Sequence, residues 1–225
     1  MPRQPFIAKS SRRLAGLRAV IFGAPGSGKG TQAELLAKRF GAAHITSGEI
    51  FRQEIEDGSA LGQRVRQRVE SGQLVPDALT NAIVARRLRR ADGRARGFIL
   101  DGYPRNGNQL RSLLRVARLA AAIEIRLPDR VAVRRIAGRR SCACGRIYHR
   151  EYNPPRRAGR CDVCGRRLFI RHDDRPAVIR RRLRDYQRQT APVLAYFRRR
   201  GNLIAVDGRP AITTVFKNIL AQLPR

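Results

Sequence analysis

Nine residues near the start of the chain, Gly23-Ala24-Pro25-Gly26-Ser27-Gly28-Lys29-Gly30-Thr31, have the composition of a cradle for phosphates. They follow a short apolar stretch, Ala19-Val20-Ile21-Phe22, and lead into a helical pattern from Gln32 to Phe40. Glycines permit a tight strand-to-helix turn in which successive backbone N–H groups converge on a polyphosphate. The helix N-terminus adds partial positive charge, and Lys29 supplies a mobile ammonium for the outer phosphates. The general nucleotide loop carries Ser or Thr directly after this lysine. Here Gly30 stands in that place and Thr31 comes one position later. Gly26, Ser27, Gly28, Lys29, Gly30 and Thr31 are therefore the expected phosphate contacts.

A second group of reactive residues lies in Phe98-Ile99-Leu100-Asp101-Gly102-Tyr103-Pro104-Arg105, followed by Gln109. An apolar strand that ends in Asp101 sets a carboxylate beside the loop, where it can hold the water shell of Mg²⁺. Gly102 lets backbone approach a ligand, and Arg105 offers a planar fork to a phosphate. Gln109 carries both an amide donor and an acceptor, which suits the N1/N6 edge of adenine.

Four cysteines occur, all between Cys142 and Cys164. Such clustering argues against disulfides distributed through a secreted scaffold and for a local metal knuckle in a reducing compartment. Cys161-Asp162-Val163-Cys164-Gly165 is a C-x-x-C-G turn, whereas Cys142-Ala143-Cys144-Gly145 is one residue shorter. Four thiolates suit tetrahedral Zn²⁺, and the sixteen residues between Cys144 and Cys161 let the chain return. Free thiols and disulfides are the other states open to these cysteines. His149 and His172 are candidate substitute ligands.

The loop has the form G-x-P-G-x-G-K-G-T, and with the segments above it resembles the adenylate kinase family of nucleoside-monophosphate kinases. The likeness runs through nearly all of residues 18 to 222. It implies reversible, Mg²⁺-dependent transfer of the ATP γ-phosphoryl group to AMP, giving two ADP, with structural Zn²⁺ in a long lid. It implies catalytic roles for Lys29, Asp101, Arg105, Arg139, Arg171 and Arg182, and further ATP contacts from Arg135, Arg139, Ile147, Tyr148 and Arg209. AMP contacts follow for Ser47, Arg52, Gln73, Leu74, Val75, Gly102, Tyr103, Pro104, Arg105, Gln109, Arg171 and Arg182, with Ser47 and Tyr103 where the family more often has Thr and Phe. The zinc ligands implied are Cys142, Cys144, Cys161 and Cys164. A segment from about 46 to 75 would form an AMP-binding flap, and one from about 140 to 172 the lid. Another acceptor nucleotide, or GTP as donor, is the nearest rival reading.

These residues need a scaffold. Short apolar runs, Arg18–Phe22, Ala43–Ile45, Gly97–Leu100, Ala122–Leu127 and Leu203–Val206, alternate with helical patterns. Strand–helix alternation predicts a parallel sheet covered by helices on both faces, an α/β fold with ligands at the carboxyl ends of the strands. Pro176 to Arg199 reads as one long helix, with Asp173 or Asp174 as its cap, and Thr46-Ser47-Gly48-Glu49 as a capping box. Pro76 reads as the first turn of another helix. From Arg140 to His172 the periodicity fails, as for a small inserted module.

With 225 residues and a formal charge of +31, nearly all of it arginine, the chain would attract any polyanion. Basic residues are spread over many helices without interleaved aromatics, so they read as solvated faces, and nucleic-acid binding is the alternative. The expected partners are ATP, AMP and ADP, with no obligatory nucleic acid, no membrane and a monomeric, cytoplasmic protein. Residues 1 to 17 contain Arg3, Lys9, Arg12 and Arg13 with no acid. They read as a basic extension rather than a transit peptide.

Overall fold

The computed structural model describes residues 16–89 and 96–224. The extension expected over residues 1–17 lies almost wholly outside them. Five strands form a parallel sheet in the order β2-β3-β1-β4-β7: β1 Arg18–Gly23, β2 Ala43–Thr46, β3 Phe98–Asp101, β4 Ala121–Arg126 and β7 Leu203–Asp207. All five lie where the apolar runs predict them. Helices cover both faces, as required when strands are apolar on both sides. Alternate residues of β1 point to opposite layers. Ala19 and Ile21 pack with Leu36, Ile123, Val215 and Ile219, whereas Val20 and Phe22 pack with Leu100, Leu113 and Phe197.

Register decides where chemistry can occur. Ile21 pairs with Asp101 across β1 and β3, and Thr46 pairs with the same Asp101 across β2 and β3. The phosphate loop, the end of β3 and the start of the helix after β2 therefore meet at one edge of the sheet. Helix α1 (Lys29–Phe40) rises directly from the loop, with Gly28 at its N-cap. Helices α2 (Ser47–Glu56) and α3 (Ala60–Glu70) form a pair with its own small core of Phe51, Val65, Val75 and Ile83. Helix α4 (Asp77–Leu88) returns to the sheet, with Pro76 standing one place outside as the N-cap residue. Helices α5 (Gly107–Val116) and α6 (Asp129–Ala137) follow β3 and β4.

Between α6 and the final helices lies the insert expected from the break in periodicity. Strands β5 (Arg139–Ser141) and β6 (Ile147–His149) form an antiparallel pair there. Its core is Cys142, Tyr148 and Cys161, with Leu168 packed against them.

Three local expectations need correction. The capping box at Thr46 does not form: its hydroxyl bonds His44 Nε2 (3.0 Å) and leaves the helix end to other groups. Asp173 and Asp174 do not cap the helix at Pro176, because buried arginines claim both carboxylates. The long helix from Pro176 is not uniform. It divides into α7 (Pro176–Asp185), a π-helical turn Tyr186–Thr190, and α8 (Ala191–Arg199). Pro192 supplies the reason, since it has no N–H and its ring collides with the preceding turn, so the ladder widens there. Helix α9 (Ile212–Gln222) closes the chain against α1.

The two faces of α5 give a test of the packing. Leu113 is fully buried and Val116, three residues on, is 55% exposed. Leu113→Ala should cost about 2–5 kcal/mol and lower the melting temperature by about 10 °C. Val116→Ala should stay within about 0.5 kcal/mol. Equal effects in thermal melts would show the helix to be packed by another face.

Candidate functional site

The loop after β1 is shaped by contacts that exclude side chains. Gly26 has φ +82°, and a Cβ there would lie 2.5 Å from the Ala132 carbonyl of α6. Gly30 answers the question raised by its place after the lysine: a Cβ there would lie 3.3 Å from Asp101 Oδ2. The missing side chain is what lets the β3 carboxylate approach the loop. Asp101 Oδ1 and Ser27 Oγ are buried without a hydrogen-bond partner. Such groups are costly unless a ligand completes them, and an acceptor-only carboxylate with a free oxygen fits a hydrated Mg²⁺.

Lys29 reaches back to the Ala24 carbonyl at 3.5 Å. Burial lowers its pKa to about 8; Asp101 opposes this, and Arg182, Arg105 and Arg139 add to it. The arginines feel the same crowding. Burial first, then neighbouring cations, holds Arg105 and Arg171 below the ordinary guanidinium range, and Arg182 and Arg52 are also lowered. Arg139 is the exception, for burial is outweighed by its hydrogen bonds and charge contact with Asp174. Asp173 takes Arg182 Nη1 at 2.8 Å, and burial notwithstanding, Arg182 and Arg52 hold its pKa low.

Six cations (Lys29, Arg52, Arg105, Arg139, Arg171, Arg182) thus share the cleft with the carboxylates of Asp101, Asp173 and Asp174, while Glu49 acts on Arg52 and Asp185 lines the wall beside Lys29 and Arg105. Asp173 and Asp174 stand in the Arg171-His172-Asp173-Asp174 run, and only the fold turns these expected helix caps into counter-ions.

A cavity at the junction of α2, β3 and α7 is lined by Ser47, Arg52, Gln73, Gly102, Gln109 and Arg182, with Leu74 and Val75. Ser47 Oγ donates to the Gly102 carbonyl (2.9 Å), and Arg105 Nε donates to the same oxygen (2.8 Å). Tyr103, followed by a cis bond to Pro104, is buried and donates to Asn81 Oδ1 (2.7 Å). Gln109 accepts from the Arg105 N–H (2.7 Å) and donates to Asp77 Oδ1 (2.8 Å). Its amide is therefore engaged inside the protein, and a base edge would have to exchange with these partners.

Thr190, at the end of the π-helical turn, donates to the Arg105 carbonyl at 3.1 Å. No residue pattern in the chain marks Thr190 or Asp77 as part of this network, because both arrive through tertiary packing.

On the other side of the loop, Arg135 donates to the carbonyls of Gly208 (2.8 Å) and Arg209 (3.1 Å) and lies over the Tyr152 ring. Arg209 itself turns outward to Asp207. Ile147 is partly exposed. The Tyr148 side chain does not face the loop. It is buried in the insert, bonded to Cys161 Sγ (3.4 Å), and accepts the Asp162 N–H (2.8 Å). The insert touches the body of the protein through an ion pair of Arg146 with Glu34 on α1.

All four cysteine sulfurs lie within 4.8 Å of one another. The shortened first turn still closes: Gly145 N–H reaches the Cys142 carbonyl (3.0 Å) just as Gly165 N–H reaches that of Cys161 (2.9 Å). One residue fewer tightens the loop, and Cys142 keeps its place in the cluster. Hydrogen bonding from Tyr148 brings the Cys161 thiol down to about 6, and burial pushes Cys142 up to about 12. The donor set fits a thiophilic, tetrahedral ion. His149 is not among the cluster. Nε2 faces the Arg135 carbonyl (3.0 Å), and Nδ1 accepts N–H bonds from Glu151 and Tyr152. His172 lies outside the cluster as well.

Comparison with known proteins agrees with this geometry. Residues 21–202 match the family described as adenylate kinase. The chain is 43% identical over 213 residues to an adenylate kinase of Syntrophomonas wolfei, covering 92% of this chain and 99% of that protein. It is 39% identical over 208 residues to one of Methanothrix thermoacetophila, covering 90% and 96%. A third, from Thermosipho melanesiensis, is 43% identical over 210 residues, covering 91% and 98%. With this coverage, and with the loop, Asp101 and the arginine cleft in place, the chain belongs to the adenylate kinase family.

Proposed function

We propose that this protein is an ATP:AMP phosphotransferase whose reaction is carried by its own cleft of buried cations. The observation that supports this most directly is the excess of cations over carboxylates around the phosphate loop. Two bound nucleotides supply the missing negative charge. The loop amides and Lys29 hold the donor phosphates, with Arg135 and Arg139 on the donor side. Arg52 and Arg105 hold the acceptor phosphate in the cavity formed by Ser47, Gln73, Gly102 and Gln109. Arg171 and Arg182 lie between the two, held at one end by Asp173.

An acceptor phosphate oxygen attacks the γ-phosphorus while the bond to the β-phosphate oxygen breaks, leaving its electrons on the departing ADP. The acceptor is already ionised, so no general base is needed. Protein groups act by alignment and charge stabilisation. Asp101 is the residue that would hold a hydrated Mg²⁺ through its waters, and the ion would offset charge on the donor phosphates. The segments from about 46 to 75 and about 140 to 172 serve as flap and lid over this cleft and exclude water. The four cysteines would hold Zn²⁺, which would fix the lid's shape.

We take the protein to act as a monomer on free nucleotides in the cytoplasm. No helix among the described residues is long and apolar enough to cross a membrane, and the absence of a disulfide among the four cysteines supports a reducing compartment.

The deciding experiment is a coupled phosphotransfer assay with ATP–Mg²⁺ and each nucleoside monophosphate in turn. AMP should be the preferred acceptor, and Lys29→Ala should lower its turnover on the order of a hundredfold or more. Comparable rates with UMP or CMP would sink the AMP assignment.

Lys29 also predicts a pH dependence. With its pKa near 8 in the free protein, binding of polyphosphate favours the ammonium and takes up a proton. ATP affinity should be full below about pH 7 and decline as pH rises through 8. Calorimetry at pH 8 in buffers of different ionisation enthalpy measures that uptake. Its absence would separate Lys29 from the phosphates.

For the metal, elemental analysis should find about one zinc per chain, and chelation should lower the melting temperature. A zinc-free protein with four freely titrating thiols is the contrary result.

A further inference from the structure

The insert that carries the cysteines has a second face. Between Arg150 and Arg167 it holds six arginines: Arg150, Arg156, Arg157, Arg160, Arg166 and Arg167. All six are exposed, and none lines the cavities of the cleft. No ion pair reaches any of them among the described residues. Of the two acids in the stretch, Glu151 lies 3.8 Å from Arg134 of α6, and Asp162 accepts the Arg156 backbone N–H (2.9 Å).

The arrangement is more than a high count. Arg160 and Arg167 face each other across an antiparallel bridge, which sets their Cβ atoms about 5 Å apart on one side of the ribbon. Like charges directly opposite destabilise such a pair; Arg160 Nη1 donates to the Gly165 carbonyl (3.3 Å), and among the described residues no carboxylate pairs with either guanidinium. Arg157 begins the turn that delivers Arg160, through the Arg160 N–H to Arg157 carbonyl bond (3.1 Å). Arg166 is fixed to the cysteine cluster, its carbonyl accepting the Cys161 N–H (2.9 Å). The hairpin therefore presents several exposed guanidinium groups from one short segment.

From this we propose that the outer face of the cysteine-bearing insert is a docking surface for single-stranded nucleic acid. A phosphodiester backbone supplies negative charge at short, regular intervals, and counterion release drives its association with clustered arginines. A single strand is flexible enough to follow such a hairpin, and its unpaired bases can stack on guanidinium planes. An anionic membrane is the less suited partner. The stretch contains no amphipathic helix, and its exposed large apolar side chains are Tyr152, which lies under Arg135, and Val163, with Phe169 and Ile170 just beyond it. The surface is separate from the nucleotide cleft, so both can be filled together.

The test uses the full-length protein and a fluorescent 20-nucleotide oligo(U), titrated by anisotropy across a range of salt concentrations. One variant replaces Arg156, Arg157, Arg160, Arg166 and Arg167 with Gln. A control of equal charge change replaces Arg111, Arg115, Arg118, Arg198 and Arg199, on and beside α5 and α8. The lid variant should keep its phosphotransfer rate, bind oligo(U) on the order of tenfold more weakly at 0.1 M salt, and show a salt slope reduced by about 3. The control should lose clearly less.

Should the five-fold variant fail to fold, the pair Arg160→Gln and Arg167→Gln reads out the same surface. It should weaken oligo(U) several-fold and raise the melting temperature, since the facing charges are gone. Equal losses in lid variant and control would overturn the proposal in favour of diffuse charge. Displacement of oligo(U) by saturating ATP and AMP would overturn it in favour of the cleft. Lid-dependent binding to phosphatidylglycerol vesicles with none to oligo(U) would overturn it in favour of a membrane.

Discussion

Lys29, Arg52, Arg105, Arg139, Arg171 and Arg182 converge where the carboxyl ends of β1, β2 and β3 meet, with Asp101, Asp173 and Asp174 standing among them. Bringing so many like charges into a partly dry cleft opposes folding. The lowered pKa of Lys29 and of the buried arginines records that opposition. Asp173 and Asp174 are the offsetting element, since each fixes an arginine that would otherwise repel its neighbours. What remains is an excess of positive charge that phosphates complete. The same feature that makes the empty site unfavourable makes it selective for two phosphorylated ligands together.

Geometry then follows from that electrostatic demand. Gly30 keeps the loop open so that Asp101 can lie close, and the sheet register sets both at one edge. The network from Thr190 through Arg105 to Gln109 and Asp77 fixes the backbone from which the Arg105 fork projects. It depends on the π-helical turn that Pro192 imposes. A local defect in one helix thereby positions a side chain that belongs to the loop after β3.

The cysteine insert solves another problem. Its apolar core is too small to hold a hairpin alone, so four thiols and the Tyr148 hydroxyl form its centre. Arginine works under two regimes in this one segment. At its roots, Arg139 and Arg171 are buried and committed to the cleft. On its outer face, the arginines from Arg150 to Arg167 lie in water and are free of ion pairs among the described residues. Desolvation raises the interaction strength of the first set and leaves the second open to salt and to flexible polyanions.

The sequence alone determined the loop, the five strands, the Asp101 strand end and the cysteine module. Each depends on residue types at short spacing, where local sterics and periodicity act directly. It also placed the arginines that flank the insert, through their resemblance to the family. Tertiary structure decided what no local pattern carries. It turned Asp173 and Asp174 from helix caps into counter-ions and sent the Tyr148 ring toward sulfur instead of the loop. It kept Cys142 in the cluster despite the shortened turn, and it brought Thr190 to Arg105. Each of these outcomes pairs a buried polar group with a partner far away in the chain. The cost of leaving such a group unpaired is set by its three-dimensional surroundings, which a one-dimensional pattern does not contain.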